Sequence, residues 1–277
     1  HALITHAHAD HARAGCGAYL CAASGREILA HRLGKDAAIE SLPFGESRLI
    51  KGVRVSFHPA GHILGSAQIR LEHRGEVWVF SGDYKTTPDP AAEAFEPVRC
   101  DTFITESTFA LPVFRWPDPE SVMEDLVHWW RANREKGRTS VVFAYALGKA
   151  QRVLAGIKRA LPEAGTADWP VGVHGSVYPF LDTYARSGVN LPAAERANTA
   201  WARAHRGTGL VVTPASVQQT PWLNRLRPYS LAFASGWMMV RGSRRRRALD
   251  RGFVLSDHCD WPGLINAVRA SGCSRVG

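Results

Sequence analysis

The sequence predicts an α/β protein in which two kinds of sheet follow one another along the chain, and three observations predict it. Up to about residue 110, short segments of alternating apolar and polar residues separated by turns mark half-buried strands. From Pro117 onward, apolar runs alternate with helical stretches, the rhythm of a parallel sheet covered on both faces. With 277 residues, 45% of them hydrophobic and 21% charged, the chain is long enough to bury a large core in one or two domains.

Taken in order, the apolar run Ala2-Leu3-Ile4 opens the chain inside a strand and Gly25 to Leu33 forms a helix. Val53-Arg54-Val55-Ser56-Phe57 and Ala67-Gln68-Ile69-Arg70-Leu71-Glu72 alternate. The turn His73-Arg74-Gly75 leads into Val77-Trp78-Val79-Phe80, and Asp101-Thr102-Phe103-Ile104-Thr105 adds a further strand. These belong to an antiparallel or mixed sheet. Asp118 before Pro119 places a capping side chain ahead of a first-turn proline, opening a helix that runs to about Glu135. Ser140 to Ala144 reads as a buried strand and Gly148 to Leu161 as a helix. Val171-Gly172-Val173, Leu210-Val211-Val212 and Leu231-Ala232-Phe233 continue the series, and a strand and a helix follow Gly252. Apart from the run Arg244-Arg245-Arg246-Arg247 there is no low-complexity segment, and there is no internal repeat.

Composition narrows the possible partners. No apolar stretch approaches the roughly 20 residues that span a bilayer, so no membrane partner is expected. A formal charge of +9 and a pI near 9.7 favour a polyanion. The five cysteines are scattered, without a C-x-x-C pair, which fits a reducing, cytoplasmic compartment. The first residues start within a strand without an initiator Met, and Ser274-Arg275-Val276-Gly277 begins another strand. Both ends are therefore expected to be incomplete relative to the natural protein.

Thr5-His6-Ala7-His8-Ala9-Asp10-His11 concentrates three imidazoles and a carboxylate within six consecutive positions at a strand end. Neutral imidazole and carboxylate are the donors that hold zinc and similar divalent ions, and four of them could divide between two ions.

This spacing resembles the metallo-β-lactamase superfamily of hydrolases, and the other positions that the resemblance requires are present. His62 lies in Pro59-Ala60-Gly61-His62-Ile63-Leu64-Gly65-Ser66, Asp83 in Ser81-Gly82-Asp83-Tyr84-Lys85, and His258 in Ser256-Asp257-His258-Cys259. The resemblance implies an αββα sandwich with His6, His8 and His62 on one ion, Asp10, His11 and His258 on the other, and Asp83 bridging. It implies two divalent ions, zinc first, with manganese or magnesium also admissible. Cys259 is expected to point away from the site, as neighbouring positions on a strand do. Because His258 must return to the neighbourhood of His6, residues 112–240 are expected as an insertion into a metal-binding domain made of 1–111 and 241–277.

The insertion resembles the β-CASP domain of nucleases in that superfamily. Thr105-Glu106-Ser107-Thr108-Phe109 is similar to its acidic motif, and Phe143-Ala144-Tyr145-Ala146-Leu147-Gly148-Lys149-Ala150-Gln151 to its strand-to-helix segment. Phe109 to Pro117 and Gly236-Trp237 are similar to the DNA-processing branch, with its Artemis and Apollo type of repair nuclease and its bacterial ligase-associated exonucleases. The resemblance implies metal-dependent hydrolysis of DNA phosphodiesters, from the 5′ end, in repair. The implied partners are single-stranded or 5′-ended DNA and a ligase or helicase of a repair system. An RNA-processing nuclease is the alternative, since the segment around His62 is shared with RNA-cleaving relatives; a thioester or lactone hydrolase is a more distant one.

The catalytic carboxylates implied are Asp10, Asp83 and Glu106, the last either fixing the tautomer of a ligand imidazole or relaying a proton. His174, at the end of a parallel strand, is read as a substrate contact or a structural cap. The arginine run lies along a phosphate path or forms a solvated face. Trp222, Trp237 and Phe114 are candidates for stacking on bases. One departure stands out. DNA-branch relatives place a histidine after the Gly-Trp pair where this chain has Met238-Met239, so Arg241, Arg244, Arg245 or water would have to substitute.

Overall fold

A computed structural model describes residues 1–240, 242, 245 and 248–277, and divides them into two compact units, 1–115 with 257–277 and 116–256.

The first unit contains two sheets. Strands β1 (Ala2–Leu3), β2 (Tyr19–Ala22) and β3 (Ile39–Leu42) pair in parallel in that order, with helix α1 (Arg26–Leu33) connecting β2 to β3. The second sheet is built of β4 (Ser47–Ile50), β5 (Val53–Pro59), β6 (Ala67–His73), β7 (Glu76–Phe80) and β8 (Thr102–Ile104), completed by β15 (Arg275–Val276) beside β8. Its β4 to β7 are antiparallel, while β8 and β15 add in parallel. Strand alternation decides which face each residue covers. Val55, Phe57, Ala67 and Ile69 face Leu20, Ala22 and Leu42 of the first sheet. Val79 and Phe103, on the opposite face, meet Val268 of the last helix (Trp261–Ser271, α7 below). The sheets are thus packed face to face, with α7 against the outer face of the second.

The second unit carries one six-stranded, all-parallel sheet. Its order is β11 (Ala194–Arg196), β10 (Val171–Val173), β12 (Leu210–Thr213), β9 (Thr139–Phe143), β13 (Tyr229–Ala234) and β14 (Arg251–Phe253). Alternate residues serve opposite faces. Val142, Val173, Val212 and Ala232 pack against α2 (Pro119–Glu135) and α3 (Lys149–Ala160), while Val141, Phe143, Val211 and Phe233 pack against Trp201 of α5 (Thr199–Ala204) and Leu223 of α6 (Pro221–Asn224). A fourth helix, α4 (Leu181–Arg186), follows β10. Helix α2 starts where its sequence places the start: Asp118 accepts from the Ser121 amide at 2.8 Å and Pro119 takes the first position, whose N–H would have no helical partner. Its buried stripe Val122, Met123, Leu126, Val127, Trp130 follows the helical repeat. Trp130 donates its Nε1 proton to the Thr208 carbonyl at 2.9 Å.

The unit boundaries fall later than the sequence places them, after 115 and after 256 rather than at 111/112 and 240/241. At the second boundary the reason is strand pairing. Strand β14 joins β13 with Ala232 opposite Arg251, and Asp250 accepts from the Leu231 amide at 2.8 Å, so this stretch is part of the parallel sheet. No helix among the described residues is long and apolar enough to cross a membrane.

Fully buried Leu126 should tolerate truncation poorly. We expect Leu126→Ala to lower the unfolding free energy by about 2–5 kcal/mol, and Leu49→Ala, at a 68% exposed position, by less than about 0.5 kcal/mol, both read from urea unfolding followed by tryptophan fluorescence.

Candidate metal centre

The histidine-rich loop leaves the sheet after β1 and is tied down at several points. The Ala67 amide donates to the Thr5 carbonyl at 2.8 Å, and Arg32 of α1 donates through Nε to the Ala7 carbonyl at 3.1 Å. The amides of His11 and Ala12 both donate to the His8 carbonyl, at 3.1 and 2.9 Å, folding the loop back on itself. The Thr5 hydroxyl lies 3.2 Å from His6 Nδ1 and 3.4 Å from His11 Nδ1, so both rings present Nε2 to the site.

Two glycines bring the other loops in. A Cβ at Gly82 would lie 2.7 Å from Thr5 Cβ, and one at Gly61 would lie 2.2 Å from the Lys85 carbonyl oxygen; both have positive φ, +57° and +77°. Only glycine lets the chain approach this closely in that conformation. The residues that follow them are Asp83 and His62. Ser66 Oγ accepts from the His62 amide at 3.0 Å, and the His62 ring is fixed by an Nδ1 hydrogen bond of 2.9 Å to the Asp257 carbonyl.

These constraints bring four donors together. His8 Nδ1 lies 3.1 Å from His6 Nε2 and 3.1 Å from His62 Nε2. Asp83 Oδ2 lies 3.5 Å from His6 Nε2 and 3.6 Å from His62 Nε2. His6, His8, His62 and Asp83 can therefore each direct one ligand atom at a common point. A tetrahedral zinc site with bonds of about 2.0–2.1 Å has ligand atoms about 3.3–3.4 Å apart, which these separations bracket.

The donor chemistry fits as well. His62 gives its Nδ1 proton to a carbonyl, so neutral His62 carries a lone pair on Nε2 that faces His8. His8 has at most one proton on Nδ1 for two facing nitrogens, and a cation resolves the repulsion.

Asp83 also faces the other way. Its Oδ1 lies 3.5 Å from His11 Nε2, which in turn lies 3.7 Å from Asp10 Oδ2. His258 forms a group with Asp83 and Glu106, and another with His62 and Asp257. Glu106 accepts from His258 Nδ1 through both oxygens, at 2.8 and 2.9 Å, and from the Tyr84 amide at 2.8 Å. With its oxygens engaged in this way, Glu106 acts as the partner that orients His258 rather than as a direct donor. Asp10 is the outlier of the six-residue motif: its side chain is 75% exposed and it reaches the group through His11.

Charge states follow from these surroundings. Burial, reinforced by the neighbouring imidazoles His62, His8 and His11, lowers the His6 pKa well below the ordinary histidine value. Burial also lowers that of His62, with the Asp257 charge opposing and His258 and His8 adding to the shift. For His258 burial pulls downward, but the Glu106 hydrogen bond and the charges of Asp257, Glu106 and Asp83 outweigh it and raise the pKa. Burial raises that of Asp83.

Asp257 was not marked by the sequence reading. It is buried, its carbonyl holds His62, and its Oδ1 lies 3.9 Å from His258 Nε2. Its only signal was an acid directly before a histidine. Cys259 is buried with Tyr84 and Leu264, and its amide donates to the Tyr84 carbonyl.

The remaining candidates lie elsewhere. Phe114 is buried edge-on against Phe109 at 4.8 Å and offers no face for stacking on a base, which removes it from that role. In the second unit, His174 follows β10 and closes a short turn: its Nδ1 accepts from the Ser176 amide at 3.1 Å, and its ring meets Trp222 at 4.9 Å. That is the geometry of a cap, and it leaves Nε2 as the atom available to a ligand. Burial, assisted by Arg225, lowers its pKa. Trp237 is 44% exposed and Arg245 is exposed. Arg241 and Arg244 lie outside the described residues, as do Arg246 and Arg247.

Fold and site together define an α/β protein with a histidine- and carboxylate-lined centre able to hold divalent metal. No family profile matches the chain. It is 30% identical over 276 residues to a protein of Opitutus terrae named "Probable DNA ligase", a match covering 99% of this chain and 26% of that protein. It is 30% identical over 151 residues to the "RNase J-like protein" of Methanocaldococcus jannaschii, covering 53% of this chain and 35% of that protein. It is 33% identical over 119 residues to "Cleavage and polyadenylation specificity factor 73" of Drosophila melanogaster, covering 42% of this chain and 17% of that protein. The chain thus matches roughly a third or less of the length of these relatives. A crystal structure of a protein of unknown function from Enterococcus faecalis V583 superposes with a TM-score of 0.67 over 99% of this chain and 73% of that one. At 13% identity it speaks for the fold alone.

Two outcomes are expected of the centre. Gly82→Ala should lower bound zinc per chain by more than half, as elemental analysis would read, because the new methyl meets Thr5 and displaces Asp83, and the strained backbone together with the lost metal should lower the thermal midpoint. Metal stoichiometry should also fall in two steps as pH drops from 8 to 5. The raised His258 pKa means that this ring takes up a proton first and competes with metal, while His6 and His62, with lowered values, keep their lone pairs to lower pH. Isothermal titration at stepped pH measures this, and simultaneous loss of all metal would contradict it.

Proposed function

We propose that this chain is a metal-dependent phosphodiesterase of the metallo-β-lactamase type with a β-CASP insertion, and within that class a DNA exonuclease that works in repair from the 5′ end. The observation that carries the reading is the division of Asp83, with one oxygen toward His6 and His62 and the other toward His11, the arrangement two neighbouring cations require of a shared carboxylate. Two divalent ions, zinc first because imidazole donors predominate, would supply Lewis acidity to an anionic phosphodiester and a nucleophile at neutral pH.

The chain's own residues do the rest. In this assignment His6, His8 and His62 hold one ion, Asp10, His11 and His258 the other, and Asp83 is shared. Thr5 fixes the rings of His6 and His11, and the Asp257 carbonyl fixes that of His62. Glu106 holds His258 by its Nδ1 proton, and its hydrogen bond outweighs burial in raising the pKa of the His258 ring. His174, through Nε2, and exposed Arg245 are assigned to substrate binding.

DNA is favoured because the similarity to the protein named for DNA ligation runs over 99% of the chain, whereas that to the RNase J-like protein covers 53%. The same likeness makes a ligase of a repair system the proposed partner. RNA cleavage is the second reading, favoured by the endoribonuclease names among the relatives.

End-labelled DNA and RNA strands of one sequence, incubated side by side with the zinc- or manganese-loaded chain, test the choice. Stepwise loss of 5′-labelled DNA is expected, and cleavage of RNA alone would transfer the assignment to the second reading. Asp83→Ala should abolish cleavage while oligonucleotide binding persists, and Glu106→Gln should reduce it by about 10–100-fold.

A further inference from the structure

The parallel sheet of the second unit has two ends, and His174 stands at the carboxyl end. The opposite, amino-terminal edge carries a concentration of cations that the reading above does not use. Strands β12, β9 and β13 are consecutive neighbours, and the loops that feed them are bonded together. The Thr139 amide donates to the Pro228 carbonyl at 2.8 Å, the Gly207 amide to Thr139 Oγ1 at 3.1 Å, and Arg206 Nε to the Arg227 carbonyl at 2.9 Å. These loops present Arg206, Lys136, Arg138 and Arg227, all exposed. Within residues 135–138, 203–209 and 225–228 the only acid is Glu135.

Carboxylates elsewhere on this edge stand at its flanks. Asp168 precedes β10, where its carbonyl accepts from Arg134. Asp250 precedes β14 and accepts from the Leu231 amide and the Ser230 hydroxyl.

Helix C-termini gather at this edge of any parallel α/β layer, and a cation there is stabilising by about 0.3–1 kcal/mol. Lys136, the capping residue of α2, is explained in that way. Capping does not account for Arg138, Arg206 and Arg227, which lie beyond the helix ends on the strand side. Neighbouring strands lie about 4.8 Å apart, so three of them make a row of about 10 Å. At about 3.4 Å per phosphate along one strand of a duplex, that is about the span of four successive phosphates.

We propose that this edge is a binding surface for the phosphodiester backbone of a nucleic acid, at the opposite end of the sheet from His174. The choice of nucleic acid among polyanions rests on the phosphodiesterase reading, but the surface itself does not need the metal centre. Arg206 braces the Arg227 loop through Nε and keeps its terminal nitrogens for a phosphate. Arg138, Lys136 and Arg227 complete the row, and Tyr229 lies beneath the Arg227 guanidinium at 5.9 Å.

The test uses the metal-loaded chain and a fluorescent single-stranded DNA with phosphorothioate linkages that resist cleavage, followed by anisotropy across a sodium chloride series. For Arg138→Gln with Arg227→Gln, binding in 50 mM salt should weaken at least fivefold, and the slope of log affinity against log salt should become shallower by about 1.4, two phosphate contacts at about 0.7 each. The control pair Arg159→Gln with Arg186→Gln removes the same charge from residues paired with Glu120 and Asp182, and should leave the slope unchanged. An unchanged slope in the first pair at an unchanged thermal midpoint would overturn the proposal. So would loss of binding to phosphatidylglycerol vesicles with oligonucleotide binding intact, which would make the surface one for lipid. A chain that cuts no nucleic acid but shows the shallower slope would refute the phosphodiesterase reading and leave this one standing.

Discussion

His6 Nε2 and His62 Nε2 each lie 3.1 Å from His8 Nδ1, and burial keeps His6 and His62 from relieving the crowding by protonation. Neutral imidazole has one donor and one acceptor, and the donor of His62 is already spent on the Asp257 carbonyl. Lone pairs held this close in a desolvated pocket are costly unless a cation lies among them. Most other features around the loop follow from holding that arrangement in place. Thr5 sets the ring orientations, Arg32 braces the backbone, and Gly61 and Gly82 admit the two loops that deliver His62 and Asp83.

The fold positions these groups by placing them all beyond strands. His6 follows β1, His62 follows β5, Asp83 follows β7 and Glu106 follows β8, so rigid sheets hold loops whose side chains converge. The two sides of the centre differ in character. His6 and His62 are buried with lowered pKa values and His8 beside them is half-buried, whereas the side with His11 and Asp10 is more open and His258 is drawn toward the positive form by Glu106. The proposed substrate, an anionic phosphodiester with a proton to be moved, would meet both environments within one site.

Much of the fold was legible because its elements obey simple periodicities. Helix α2 is announced by Asp118-Pro119 and carries a clean buried stripe, and β9, β10, β12 and β13 are apolar runs that can only be covered on both faces. Strands β3, β4 and β11 escaped notice because Glu40, Ser41, Arg48, Glu195 and Arg196 break any apolar pattern; pairing with a neighbour, not their own composition, makes them strands. Likewise β14 read as a return to the first unit until its pairing with β13 placed it in the second. In the site, residue types and spacing singled out His6, His8, Asp10 and His11, and the family resemblance added His62, Asp83 and His258. They could not say that Asp10 would be exposed, that Phe114 would be buried, or that Asp257 would stand against His62 and His258, because each depends on the direction of a side chain set by distant loops.

Among the described residues, the centre offers a cation imidazole and carboxylate groups and no thiol. X-ray absorption at the zinc edge of the zinc-loaded chain tests this most directly. It should show only nitrogen and oxygen neighbours at about 2.0–2.1 Å, with the outer scattering that imidazole rings produce. A sulfur neighbour at about 2.3 Å would bring Cys259 into the centre and contradict the arrangement of His6, His8, His62 and Asp83 described above.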